Sequence, residues 1–238
     1  MSGGVDSSVA ALLLQKQGYR CFGVTMRLLD NELLAGTQTT QNGCCSIESV
    51  NDARRVCEKL NIPFKVLNLS YRFYDEVVHN FIDEYLAGRT PNPCVLCNRK
   101  IKWEALIGIT REMGADFIAT GHYARIAFNE QTRRYELKKA KDLRKDQSYA
   151  LWAIEQKNLA RTLFPLGYLT KPEVREIARN HGLITAHKSE SMDICFIPDN
   201  NYKRFLYKMV KGLNEKLTHG ELVDSEGNLL GEQPGYPF

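Results

Sequence analysis

The sequence predicts an α/β fold with a mostly parallel sheet. Short apolar, strand-like runs alternate along the chain with longer helical patterns. A glycine pair in SGGVDSS, Ser2 to Ser8, runs straight into the apolar helix pattern VAALLLQKQ. His122 and Tyr123 follow the short strand IATG, at the end where open α/β sheets bind ligands. At 238 residues the chain can hold one large core, or a main domain and a small one. Its hydrophobic fraction of 43% and charged fraction of 25% are ordinary for a globular protein. No apolar run is long enough to span a membrane, and no signal-peptide pattern stands before the first motif. A net charge of +4 permits a polyanionic partner without requiring one.

Taken in order, the first helix is stopped by Gly18, and Cys21–Met26 reads as a strand. Leu29 to Gln41 has no clean period and reads as a mobile loop. Ser49 with Asp52 resembles a capped helix start, and that helix ends near Leu60. Pro63 breaks the pattern before the strand Phe64–Leu69. A long helix follows, with Val77, Val78, Phe81, Ile82 and Tyr85 on one face. The stretch GRTPNPCVLCN interrupts it with two prolines. A helix carrying Trp103, Leu106 and Ile107 and a short buried strand, Phe117–Thr120, come next. Tyr123–Phe128 and Tyr135–Lys139 read as a β-hairpin inserted in the α/β core. Thr170 and Glu173 form a capping box, with Pro172 tolerated in the first turn. Beyond Cys195 the texture changes to a basic amphipathic helix, Tyr202–Val210, and a turn-rich tail. A domain boundary is therefore expected near Asp199, giving segments 1–198 and 199–238.

The opening loop is the strongest single signal. Gly3 and Gly4 permit a tight turn that brings backbone N–H groups near an anion, and the helix dipole faces the same point. The string is neither a Walker A loop nor a GxGxxG turn. The plain alternative is a glycine turn in which a serine or the aspartate caps the helix.

Seven cysteines in a chain of this size fit reduced, cytoplasmic thiols better than a disulfide framework. Cys21 and Cys57 read as small core residues, and Cys44 and Cys45 are ambiguous. Cys94 and Cys97 form a CxxC inside a proline-stiffened loop, TPNPCVLCN, and Cys195 follows a polar loop in SESMDICFIP. Zinc would need two further ligands at close spacing, and there is no second CxxC. Two chemistries suit three such thiols: ligation of three irons of a 4Fe–4S cluster, or a persulfide on one cysteine resolved by another. His122 and Tyr123 lie after a strand, a weak signal alone. Lys138, Lys139, Lys141, Arg144 and Lys145 make a basic run that contacts RNA only if RNA is the substrate.

SGGVDSS resembles the pyrophosphate loop of ATP pyrophosphatases. Together with GRTPNPCVLCNRKIKW, ATGHYAR, KDQSYAL and DICFI, in this order, it resembles the tRNA-specific 2-thiouridylase family over nearly the whole chain. The resemblance implies an adenine-nucleotide alpha-hydrolase-like, Rossmann-like parallel sheet with a pyrophosphate loop, a β-hairpin insertion and the start of a small second domain. It implies replacement of the C2 oxygen of a tRNA wobble uridine by sulfur, with ATP adenylating that oxygen so that AMP departs. By motif, Ser2, Gly3, Gly4, Val5, Asp6, Ser7 and Ser8 would hold the ATP phosphates with Mg²⁺, and Met26 and Gly121 would line the nucleotide site. Cys195 would carry a persulfide from a donor protein, with Cys97 as its partner thiol. Asn92, Pro93 and Cys94 would touch the extruded base, while His122, Lys145, Asp146 and Gln147 would contact tRNA.

Two departures bear on this. The commoner family pattern has Asp where this chain has Cys94. A third thiol then makes Cys94, Cys97 and Cys195 an expected ligand set for an iron–sulfur variant, with persulfide-only chemistry the alternative. Truncation is also expected at both ends, because a hydrophobic strand should lead into the loop and the family continues into a C-terminal β-barrel. The expected location is the cytoplasm, or an organelle if a targeting segment lies upstream. The alternatives are another ATP pyrophosphatase, or an inactive ATP- or tRNA-binding paralogue.

Overall fold

The computed structural model describes residues 1–30, 47–189, 194–217, 220–233, 235 and 237–238. Most of the expected loop up to Gln41, with Cys44 and Cys45, therefore lies outside the described residues. Helix α1 (Val5–Lys16) buries Val5, Val9, Leu12 and Leu14 and ends where Gly18, at φ +86°, turns the chain. Strand β1 (Gly23–Arg27) follows, then α2 (Ile47–Lys59) and β2 (Phe64–Asn68). β1 and β2 pair in parallel from Gly23↔Phe64 to Arg27↔Asn68.

Two expectations here need correction. Helix α2 already includes Ile47, so Ser49 sits within its first turn rather than capping it. There the Ser49 carbonyl packs so closely on Gly3 that a Cβ on Gly3 would lie 2.2 Å away. Cys21 precedes β1 and is half-buried, because the strand begins only at Gly23. Cys57, by contrast, is fully buried beside Ala53 and Val56, and burial pushes its thiol pKa up.

The long helix is built in three pieces: α3 (Ser70–Phe73), a π-helical turn over Tyr74–Val78, and α4 (His79–Leu86). The wide turn lets the neighbouring Val77 and Val78 both face the core with Phe73 and Phe81. The cysteine segment also differs from expectation. It is not a stiff loop but a helix, α5 (Pro93–Cys97), whose N-cap Asn92 accepts from Cys94 N at 3.1 Å and Val95 N at 3.3 Å. Pro93 at the first helical position lacks an N–H that would go unpaired there anyway. A π-helix over Asn98–Ala105 carries the chain into α6 (Leu106–Glu112).

Strand β3 (Ile118–Ala119) pairs in parallel with β6 (Thr162–Leu163), which follows α7 (Gln156–Leu159). Between them β4 (Ala124–Asn129) and β5 (Arg134–Lys139) form the expected antiparallel hairpin. Helix α8 (Lys171–Asn180) starts on the expected capping box, with Thr170 and Glu173 bonded reciprocally. Helices α9 (Tyr202–Met209) and α10 (Leu213–Lys216) and the hairpin β7 (Gly220–Val223)–β8 (Leu229–Gln233) complete the described chain. Phe205 and Leu206 of α9 are fully buried in one cluster with Phe73, Phe81 and Phe196. Burying side chains of this size contributes about 1.5–3 kcal/mol each.

The chain is thus α/β with parallel central pairing, but among the described residues the central strands form two separate parallel pairs. A groove of about 1360 Å³ is lined by Val24, Thr25 and Met26 of β1 and by Ile118, Ala119 and Thr120 at β3. No helix among the described residues is long and apolar enough to cross a membrane.

Candidate nucleotide and thiol site

The groove collects most of the residues singled out in the sequence. Ser2, Asp6 and Ser7 of the glycine loop line it, as do Met26, Gly121 and His122. Pro93, Cys94, Cys97 and Cys195 line it too, with Lys145, Asp146 and Gln147. Gly3, Gly4, Val5, Ser8 and Asn92 are not among its lining residues.

The loop owes its form to backbone freedom. Gly3 takes φ +72°, where a side chain is strained, and Gly4 is an extended N-cap with no side-chain cap bond. The hydroxyls of Ser7 and Ser8 donate back to the Gly4 carbonyl at 3.1 and 2.9 Å. They therefore do not cap the helix, contrary to the plain reading of the motif. The first turn of α1 thus carries no side-chain cap, and its Asp6 and Ser7 line the groove. Gly121 comes so close that a Cβ on it would sit 2.7 Å from the Asp6 carbonyl carbon and 2.8 Å from Ser7 N. Its first duty is thus contact with the loop backbone.

Asp6 is held by two side chains that no motif pointed to together. Lys171 Nζ lies 2.7 Å from each Asp6 carboxylate oxygen, and the Tyr123 hydroxyl donates to Oδ1 at 2.8 Å. Lys171 is 8% exposed, and its backbone N–H donates to Asp142 at 3.0 Å. That bond, with neighbouring donors, keeps the Asp142 carboxyl below its ordinary range. Lys171 and Asp142 look like surface residues in the sequence; only the fold reveals them as buried.

His122 is packed between Trp103 and Phe164, with ring centroids at 5.8 and 6.2 Å. Its Nε2 faces Lys102 Nζ at 3.4 Å and so accepts, which places the proton on Nδ1, 2.8 Å from Thr120 Oγ1. Burial, and then the Lys102 ammonium, hold its pKa well below the usual histidine value. Asp146 and Gln147 spend side-chain oxygens inside the chain. Asp146 accepts from Ala140 N at 2.7 Å and Ser148 Oγ at 2.6 Å, and Gln147 accepts from Tyr123 N at 3.1 Å.

The three thiols differ in setting. Cys94 is exposed, Cys97 is buried, and Cys195 is half-buried. Cys97 belongs to the first core cluster and Cys195 packs against it. Among the described residues no group of three His, Cys, Asp or Glu side chains is placed to hold a metal ion. The expected iron–sulfur ligand set is therefore not assembled. Cys94 and Cys97, three residues apart on α5, both line the groove.

Residues 1–199 match the family model described as the tRNA methyl transferase HUP domain. The whole chain is 51% identical to a protein of Amoebophilus asiaticus named tRNA-specific 2-thiouridylase MnmA, covering 63% of that protein. Proteins of the same name from Salinibacter ruber and Desulforamulus reducens are 51% and 52% identical over the whole chain, which covers 62% and 64% of them. The chain spans less than two thirds of the length of these curated relatives.

Proposed function

Because this chain belongs to the tRNA methyl transferase HUP-domain family, we propose that it carries the catalytic part of an ATP-dependent tRNA uridine 2-sulfurtransferase. The observation that carries the reading is one groove lined by both the glycine loop and three thiols. An ATP pyrophosphatase of another kind would have no use for Cys97 and Cys195 beside its phosphate loop.

The glycine cradle suits a triphosphate. Backbone N–H groups, the α1 dipole and the Lys171 ammonium converge where its phosphates would lie. Asp6 would help hold the accompanying Mg²⁺. The uridine C2 oxygen attacks the α-phosphorus, pyrophosphate leaves, and a poor leaving group becomes AMP. Asn92, Pro93 and Cys94 would meet the extruded base, with His122 and Lys145 beside it and Asp146 and Gln147 holding the segment that carries Lys145.

Sulfur arrives as a persulfide on Cys195, delivered by a donor protein. Its terminal sulfur attacks C2 and AMP departs. Cys97 then attacks the Cys195 sulfur, the S–S bond to the substrate breaks, and sulfur stays on C2. The Cys97–Cys195 disulfide so formed is reduced by a thiol reductant. No step is routed through an iron–sulfur cluster, since the ligand set does not fit one among the described residues. Residues 199–238 would open the second, tRNA-binding unit, and the exposed Leu222, Leu229 and Leu230 of its hairpin suit such an extension.

The test is tRNA-dependent pyrophosphate release. Cys97→Ser and Cys195→Ser should abolish thiolation while the intact protein still releases pyrophosphate with tRNA. A protein that binds tRNA yet never releases pyrophosphate would refute the reading.

A further inference from the structure

Tyr149 and Trp152 are large aromatics held out in solvent, 64% and 71% exposed. Both sit on a run of i→i+3 turns. Ala150 N donates to Gln147 O, Leu151 N to Ser148 O and Ile154 N to Leu151 O, at 3.0, 3.1 and 3.1 Å. The turns bury Ala150, Leu151 and Ile154 and leave the two rings on the open side. The run is clamped at its base. Asn98, next to Cys97, donates Nδ2 to the Ala150 carbonyl at 2.8 Å, and Gln147 N donates to Tyr123 O at 2.9 Å. Tyr149 lines the groove with Pro93, Cys94 and Cys97.

Charge in the preceding segment is sorted by direction. Its acids face inward: Asp142 accepts from Lys171 N and Arg144 N, and Asp146 from Ala140 N and Ser148 Oγ. Its bases Arg144 and Lys145 line the groove, and the Arg144 side chain is 88% exposed.

We propose that Tyr149 and Trp152 form a stacking platform for the unpaired RNA nucleotides beside the base that enters the groove. The assignment rests on the tRNA reading of the groove. Extruding a base breaks its stacking on its neighbours. An aromatic face restores that stacking for any base, while cations beside it hold the backbone. Rings already fixed on a clamped turn need little ordering when the strand arrives. Tyr149, at the groove, takes the nearer nucleotide and Trp152 the farther one.

Titration of the intact protein with an unmodified tRNA transcript bearing a wobble uridine tests this. Of the two tryptophans, Trp103 is buried, so quenching of solvent-exposed fluorescence by the RNA reports Trp152. Tyr149→Leu and Trp152→Leu should each weaken the transcript by about tenfold or more. The dependence of affinity on salt should keep its slope, since no cation is removed. Tyr149→Phe and Trp152→Phe should recover most of the loss. A transcript made abasic beside the target uridine should bind wild type and the Leu variants alike. Leu variants that bind the transcript like wild type overturn the platform, as does an equal loss on the abasic transcript. Normal tRNA binding with failed sulfur delivery from a donor protein would make this face a protein dock instead. A wild-type protein that does not bind the transcript overturns the tRNA reading itself, and this assignment with it.

Discussion

Trp103 Nε1 donates to Thr162 Oγ1 at 2.7 Å, joining the π-helix after the cysteine turn to strand β6. Both residues are buried, and the same hydroxyl donates onward to Asn158 O at 2.7 Å. Thr162→Val keeps the volume but strands the indole N–H, while the Asn158 carbonyl keeps its bond from Arg161 N at 3.1 Å. We expect a loss of about 1–3 kcal/mol in urea denaturation. An unchanged midpoint would mean that the indole N–H does not depend on the hydroxyl.

Gly121→Ala drives a methyl group into the backbone of Asp6 and Ser7. Overpacking of this kind costs about 1–3 kcal/mol. ATP affinity should fall with it, because the loop itself is displaced. Gly108→Ala is the control. It lies in α6 with nothing within 4 Å of the added carbon, and should be neutral or stabilise by about 0.5–1 kcal/mol. Paired melting curves and ATP titrations decide.

The Glu173 carboxyl is lowered to about 2 by the Thr170 backbone N–H, then by Lys141 and the Thr170 hydroxyl. Its folded pKa lies below the unfolded value of 4.5, so its contribution is complete above pH 4.5 and is lost as pH falls toward about 2. Glu173→Gln should flatten that part of the acid-unfolding curve. A curve identical to the wild type would count against the capping box.

His122 works over a different range. Held neutral in the folded protein, it takes a proton more readily once unfolded. Stability from this source is therefore whole above about pH 6.5 and declines as pH drops below it. Ring-proton chemical shifts should show no titration of His122 between about pH 8 and pH 6. A midpoint near the ordinary histidine value would contradict the burial argument.

Cys94 and Cys97 should separate by alkylation rate in the native protein, since one is exposed and the other 8% exposed. Mass spectrometry after brief iodoacetamide treatment should find Cys94 modified about tenfold or more ahead of Cys97. Equal rates would mean that the turn at α5 opens readily.

What could be read in the sequence was local. The Thr170–Glu173 box needs only four residues, and the β4–β5 hairpin announces itself by alternation. The TPNPC stretch reads as a loop in the sequence for a physical reason. Two prolines look like a stiff loop, yet Asn-Pro is also a helix start, and only the bonds to Cys94 N and Val95 N decide. The two π-helical turns have no distinct periodicity to find. The members of the site were nameable one by one, from the glycine loop to Cys195. Lys171 was not, because a lysine beside a proline looks solvent-facing until Asp6 is brought to it across the fold.

The Asp6–Lys171 pair joins residues 165 positions apart. Contacts of such separation carry a large loop-closure cost and form late in folding. On a ribosome adding roughly 5–20 residues per second, Asp6 emerges about 8–33 seconds before its lysine has been made. Through that interval the glycine loop is an acidic loop on a nascent chain, with no lysine from α8 to balance it. The charge balance of the glycine loop is thus settled by a contact that this chain can make only after α8 has been synthesised.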